Sequence, residues 1–115
     1  MCKFWFTVVA ALLLGSAAAH AHAYLDHANP RVGSTVRTAP REVTLSFSQK
    51  LEASFSSAQV TDASGARVDQ GARVSGMQIH VPVRALSPGT YRVRWKVLSV
   101  DTHTTEGSFT FRVGQ

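Results

Sequence analysis

The feature that most restricts the fold of this chain is a strict alternation of apolar and polar residues in three segments. In residues 42–48, 90–97 and 108–113, every second residue is apolar and its neighbours are polar or charged. Residues two apart in an extended strand lie on the same face of a sheet, so this pattern predicts strands with one buried face. No segment after residue 21 shows the 3.6-residue apolar period of an amphipathic helix. The chain is therefore predicted to be all-β.

Shorter segments with weaker alternation complete the strand prediction, and turn sequences rich in Gly, Pro, Ser and Asp separate them. The shorter strands are expected at residues 24–26, 58–61, 72–74 and 77–81. About seven short strands in one small domain are typical of an immunoglobulin-like Greek-key β-sandwich or barrel. The predicted core is the apolar face of the strands: Val43, Leu45, Phe47, Val60, Ile79, Val81, Tyr91, Val93, Trp95, Val97, Phe109, Phe111 and Val113.

Residues 1–21 have the three-part layout of a secretory signal peptide. Lys3 supplies a positive start, residues 4–14 are apolar except for Thr7, and small residues follow. The apolar run is shorter than the roughly 18 to 20 residues that a membrane-spanning helix needs. We expect residues 1–21 to be removed on export and residues 22–115 to form a single domain.

The cleavage position decides which residue begins the exported chain. Cleavage after residue 21, the position adopted here, satisfies the small-x-small rule and leaves His22 first. Two neighbouring positions also satisfy the rule and would leave His20 or Tyr24 first. Two of the three alternatives therefore create an N-terminal histidine.

Composition after residue 21 excludes several classes of protein. This part of the chain has no cysteine, so it forms neither a disulfide nor a thiolate metal site. It has no Gly-rich phosphate loop, no nucleophile elbow and no recognisable glycosidase carboxylate pair. It carries 11 basic and 7 acidic residues. An excess of basic residues would ordinarily suggest binding to nucleic acid, but export of the protein argues against that partner. We interpret the charge as an aid to solubility, with weak attraction to anionic lipid head groups.

Three of these cations, Arg92, Arg94 and Lys96, share one face of a predicted strand. A solvent-exposed sheet face accounts for them, and a docking surface for an acidic partner is the alternative.

Metal ligation is the chemistry that the histidines permit. Asp101 and His103 are two apart, so in extended chain they can present an oxygen and an imidazole nitrogen to one ion. His22, as a free N-terminal residue, would add its α-amine and its imidazole. Three nitrogens and one oxygen suit copper(II), the divalent first-row ion best able to displace the amine proton. After residue 21 only Met77 could supply a soft sulfur ligand for copper(I).

The remaining histidines have other expected roles. His80 lies between apolar residues of a predicted strand and is interpreted as a hydrogen-bonded strand histidine. His27 is interpreted as a loop residue, with ligation at the same metal ion as the alternative.

Several parts of the chain also combine into one recognisable pattern. These parts are His22, Leu25, Asn29-Pro30, residues 45–48, residues 86–91 with Val93 and Trp95, residues 99–103 and residues 107–111. Together they resemble the CopC family (copper resistance protein C) of periplasmic copper-binding proteins. The resemblance implies a periplasmic location, an immunoglobulin-like Greek-key β-barrel and a copper(II) site of the histidine-brace type. The matching ligands are His22, Asp101 and His103, and the implied partner is a membrane copper transporter of the CopD kind.

The chain departs from the family pattern at two places. Gln49 stands where the family often has a glutamate close to the copper(II) site, and residues 61–76 lack the methionines that bind copper(I) in some members. The resemblance therefore implies a copper(II) site alone, in a protein that holds or delivers copper and is not an enzyme. The alternatives are a histidine-brace monooxygenase-like enzyme, which needs an extended substrate surface, and a structural β-sandwich without metal.

Overall fold

A computed structural model describes residues 23–115 as two sheets of four strands each. The strands are β1 (Leu25–Asn29), β2 (Thr35–Val36), β3 (Glu42–Phe47), β4 (Ser57–Thr61), β5 (Arg73–Ser75), β6 (Gln78–Pro82), β7 (Gly89–Leu98) and β8 (Thr104–Val113). A single 3₁₀ turn, Ala53–Phe55, precedes β4. The described part contains no helix of the length and apolarity needed to cross a bilayer. The predicted signal peptide and His22 lie outside the described residues.

The two sheets divide the chain in a way that requires repeated crossings between them. The first sheet has the order β1-β3-β6-β5 and is antiparallel throughout. The second has the order β2-β8-β7-β4 and is antiparallel except for β2, which pairs in parallel with β8. Only the β5-β6 and β7-β8 connections join neighbours within a sheet. The all-β sandwich expected from the sequence is confirmed.

The core lies between the sheets and is formed by the apolar residues of the alternating segments. Twelve of the thirteen predicted core residues are buried, and Trp95 is partly buried. The ring of Trp95 meets that of Phe47 edge to face, with centroids 5.1 Å apart, and so joins the two sheets. Alternation therefore predicted the inward face of each long strand correctly, because burial of one face is what the alternation encodes.

The structure corrects the strand prediction at three positions. The described residues 23–115 form eight strands where about seven were expected, because β2 contains two residues and has no alternation to mark it. Strand β8 begins at Thr104, four residues earlier than expected, since its start is defined by pairing with Leu98. Strand β1 extends to Asn29, so His27 is a strand residue and not a loop residue.

Gly107 of β8 gives a direct test of packing in this core. A Cβ atom at this position would lie 2.6 Å from a carbon of the Trp95 indole, and a rigid ring between two sheets has little room to move. We expect Gly107→Ala to lower the free energy of unfolding by about 1–3 kcal/mol, the usual cost of overpacking. Urea denaturation of the variant and the parent protein would measure this difference in the free energy of unfolding.

Gly114→Ala is the matched control, because a Cβ atom there meets its nearest neighbour at 3.4 Å, an ordinary contact. Its effect on stability should be small. A Gly107→Ala protein as stable as the parent would show that Trp95 does not pack over Gly107 as described.

Candidate metal centre

Asp101 and His103 lie in the turn that connects β7 to β8, and not in the extended chain from which their proximity was argued. Backbone hydrogen bonds close this turn: the amide of Ser99 donates to the carbonyl of His103 at 3.0 Å, and that of Thr102 donates to the carbonyl of Ser99 at 2.9 Å. Thr102 has a φ of 72°, in the left-handed region that costs a non-glycine residue roughly 1–2 kcal/mol. The turn is therefore held in a specific and strained conformation by its hydrogen bonds.

Ser99 organises the interior of this turn. Its side chain is fully buried, and its hydroxyl donates to a carboxylate oxygen of Asp101. The hydroxyl oxygen of Ser99 also accepts a hydrogen bond from the amide of His103 at 3.3 Å and lies 3.2 Å from the His103 carbonyl oxygen. One buried hydroxyl thus fixes both candidate ligand residues relative to the end of β7.

The carboxylate of Asp101 and the imidazole of His103 lie on the same side of the turn. Nδ1 of His103 is 3.5 Å from Oδ1 of Asp101, and the two side chains are 43% and 38% exposed. The hydrogen bond from Ser99, followed by the neighbouring His103, lowers the pKa of Asp101 below its ordinary value. Asp101 is therefore ionised at neutral pH and able to attract a cation.

The start of the described chain is fastened beside this turn. Ala23 is fully buried, and its carbonyl accepts a hydrogen bond of 2.5 Å from the hydroxyl of Thr105, two residues after His103. Next to it, the amide of Tyr24 donates to Oγ of Ser48 at 3.0 Å, and the amide of Ser48 donates to the carbonyl of Tyr24 at 3.0 Å. Ala23 is thereby held between the start of β8 and the end of β3.

The other predicted histidines are placed away from a shared cluster. His80 lies in β6 with its Nδ1 3.0 Å from Oε1 of Glu42, which confirms a hydrogen-bonded strand histidine and lowers the pKa of Glu42. His27 contacts Asp26 at 3.3 Å on an exposed part of β1. Within residues 23–115, no group of three or more His, Cys, Asp or Glu side chains is arranged to hold a metal ion. Asp101 and His103 are brought together, and His22, the third predicted ligand, lies outside the described residues.

Sequence reasoning missed the two hydroxyl residues that position the candidate ligands. Ser99 continues the inward-facing series of β7 two residues after Val97, and Thr105 occupies the same kind of position in β8. A polar residue on a face that is otherwise apolar must find a hydrogen-bond partner when it is buried. That break in the apolar series is the signal that would have identified both residues.

The described features define a class of protein: a small β-sandwich that presents an aspartate and a histidine in one strained turn beside the start of its first strand. The family model for the CopC domain matches residues 25–114. The chain therefore belongs to the CopC family.

Relatives from several bacteria agree with this assignment. Protein YobA of Escherichia coli K12 is 39% identical over 98 residues, which cover 81% of this chain and 79% of that protein. Copper resistance protein C of Xanthomonas campestris pv. juglandis is 38% identical over 116 residues, covering 92% and 91% of the two chains. The crystal structure of CopC from Methylosinus trichosporium OB3b superposes with a TM-score of 0.76 at 31% identity, covering 81% of this chain and 94% of that one.

A fourth similarity is to a longer protein. Copper transport protein CutJ of Bacillus subtilis is 25% identical over 118 residues, which cover 98% of this chain and 22% of CutJ. The relatives whose names give a role are named as copper resistance or copper transport proteins.

The role of Ser99 can be measured without any metal. Because the Ser99 hydrogen bond is the largest cause of the lowered pKa of Asp101, Ser99→Ala should raise that pKa toward its ordinary value. A lowered pKa stabilises the folded state above the unfolded-state pKa, and this stabilisation is lost as pH falls through the folded-state pKa. The variant should therefore lose less stability on acidification. Carboxyl-carbon NMR titration of the copper-free protein would follow Asp101 directly.

Ser56→Ala is the matched control for this titration. Ser56 is also buried, but its hydroxyl accepts from the amide of Leu98 at 3.0 Å and does not contact Asp101. It should lower stability while leaving the Asp101 titration unchanged. An unaltered Asp101 titration in Ser99→Ala would contradict the assigned role of Ser99.

Proposed function

We propose that the protein is an exported, periplasmic copper-binding protein of copper resistance or copper delivery, with one copper(II) site formed by His22, Asp101 and His103. The observation that carries the proposal is the hydrogen bond from Thr105 to the carbonyl of Ala23. It fastens the residue that follows His22 beside the turn that presents the other two ligands.

Covalent geometry supports the meeting of the three residues. Consecutive Cα atoms are about 3.8 Å apart, so His22 is bonded to a residue that touches Thr105. Thr105 is two residues from His103, a separation of about 7 Å along an extended chain. One ion bound by an N-terminal histidine therefore lies within reach of the β7–β8 turn.

The donor set favours copper(II) among divalent metals. The α-amine and imidazole of His22, the imidazole of His103 and the carboxylate of Asp101 supply three nitrogens and one oxygen, which suit a tetragonal copper(II) ion. The amine and both imidazoles must be neutral to bind, so protons compete with copper for these ligands. Asp101 does not contribute to this competition, because its pKa is already lowered.

A second site for copper(I) finds no support in the described part of the chain. Met77 is the sole methionine of residues 23–115, and its side chain is exposed. A soft copper(I) site needs several thioether or thiolate ligands. Exchange of copper between two sites within one molecule is therefore not part of the proposal.

Delivery needs a partner, for which we propose a CopD-like membrane copper transporter. CutJ supports this choice, because a region similar to this chain makes up 22% of a protein named for copper transport.

Single substitutions test the ligand assignment. His103→Ala removes a proposed ligand and should weaken copper(II) binding by at least about a hundredfold, since loss of a residue that only hydrogen-bonds a metal ligand already costs roughly 10–100-fold. Copper competition titrations at neutral pH, with electron paramagnetic resonance of the bound ion, would measure the change.

His80→Ala is the control, because His80 is a histidine of the same fold that bonds Glu42 in the first sheet. Copper affinity should be nearly unchanged in this variant. Equal losses of affinity in the two variants would contradict the proposed ligand set.

A further inference from the structure

The outer face of the second sheet carries a concentration of positive charge. Along β7 the inward residues alternate with exposed ones, so Arg92, Arg94 and Lys96 all project to the outside of the sandwich. Arg112 of β8 is paired in register with Thr90 of β7 and faces the same way. The surface formed by these four cations and the hydroxyl and amide side chains between them is called the basic face below.

The charge of the basic face is not neutralised within residues 23–115. None of its four cations belongs to an ion pair of this part of the chain. Arg92 lies 3.4 Å from the hydroxyl of Ser108, and Arg112 lies 3.3 Å from that of Thr90. Glu106, opposite Lys96 in the register, is the one carboxylate on the face among the described residues.

The remaining charges of residues 23–115 nearly cancel, with seven cations against six carboxylates. At the border of the face, Arg67 pairs with Asp69 at 2.7 Å, and Asp62 accepts hydrogen bonds from Ser64 and Ala66 of its own turn. Most of the net positive charge of the domain is therefore located on one face.

An exposed aromatic side chain adjoins the basic face. Phe55, in the 3₁₀ turn before β4, is 70% exposed. It lines the same shallow depression as Ser57 and Lys96. An aromatic residue beside cations is the combination that places a protein surface at the level of lipid head groups.

We propose that the basic face docks on the surface of an anionic phospholipid bilayer. Guanidinium groups bind phosphate oxygens with two parallel hydrogen bonds, and the hydroxyls between them can donate further bonds. The centre of a protein–protein interface is more apolar than this face, and Lys is depleted there although Arg is enriched. Here the cations occupy the centre of the face and the apolar side chain lies at its edge.

The proposal does not depend on the copper ligands, and copper-free exported protein tests it. Each Lys or Arg near an anionic bilayer strengthens binding roughly fivefold, which corresponds to about 1 kcal/mol. The triple variant Arg92→Gln, Arg94→Gln, Lys96→Gln should therefore lower partition onto vesicles of equal phosphatidylglycerol and phosphatidylcholine on the order of a hundredfold. Vesicle co-sedimentation measures the partition, and thermal melting checks that the variant folds.

The control is the triple variant Arg31→Gln, Arg41→Gln, Arg73→Gln, which removes the same charge from exposed residues that are not among the four cations of the basic face. Arg73 lies in β5 and Arg41 directly precedes β3, both strands of the first sheet, and Arg31 lies in the loop before β2. Packed sheets are about 10 Å apart, so a charge on the first sheet lies about one Debye length further from a bilayer docked on the basic face. Salt therefore screens most of its attraction to the bilayer. The partition of the control variant onto the anionic vesicles should stay within a few-fold of that of the parent protein.

Three outcomes would overturn the proposal. The first is parent protein that binds the anionic vesicles no better than pure phosphatidylcholine vesicles. The second is an equal loss of binding in both triple variants, which would show a response to net charge alone. The third is binding to soluble polyglutamate without binding to vesicles, which would assign the basic face to an acidic protein.

Discussion

The antiparallel pairing of β7 with β8 is the interaction on which the rest of this structure depends. It runs from Gly89 opposite Val113 to Leu98 opposite Thr104 and joins ten residue pairs. Its inner face supplies much of the core, its outer face carries the basic face, and its closed end presents Asp101 and His103. One hairpin therefore couples burial of apolar surface, which stabilises the fold, to the placement of the polar groups that give the molecule its chemistry.

The candidate metal centre begins where the apolar series of this hairpin ends. Ser99 is buried and Thr105 is partly buried at an inward position, and a hydroxyl withdrawn from water requires a hydrogen-bond partner. Ser99 satisfies this requirement through Asp101 and His103, and Thr105 satisfies it through the carbonyl of Ala23. These two hydroxyls thus bring the start of the described chain and the turn together, which is the arrangement that a ligand set with an N-terminal histidine needs.

Much of the fold could be predicted from the sequence, because alternation reports directly on which face of a strand is buried. Val43, Tyr91 and Phe111 were identified as core residues in this way. Strand β2 was missed because its two residues are held by pairing with β8 and have no pattern of their own. Tertiary pairing also sets the early start of β8, which local sequence does not encode.

For the candidate site, the proximity of Asp101 and His103 was predicted from their spacing in an extended chain, whereas in the structure a turn with a left-handed Thr102 brings them together. The supporting role of Ser99 was not predicted, because it depends on which carboxylate and amide the fold brings to a buried hydroxyl. The participation of His22 depends on where a peptidase cuts the chain, which neither spacing nor packing determines.

The central claim is that the free α-amine of His22 is a copper(II) ligand. It is tested most directly by comparing the exported protein, which is predicted to begin at His22, with the same protein carrying one added glycine before it. Copper competition and thermal melting should be measured on both. The added residue converts the chelating terminus into an internal histidine, so copper(II) affinity should fall by orders of magnitude while the melting temperature of the copper-free protein is unchanged. Equal affinity in the two proteins would show that the α-amine is not a ligand, and would contradict the histidine-brace site.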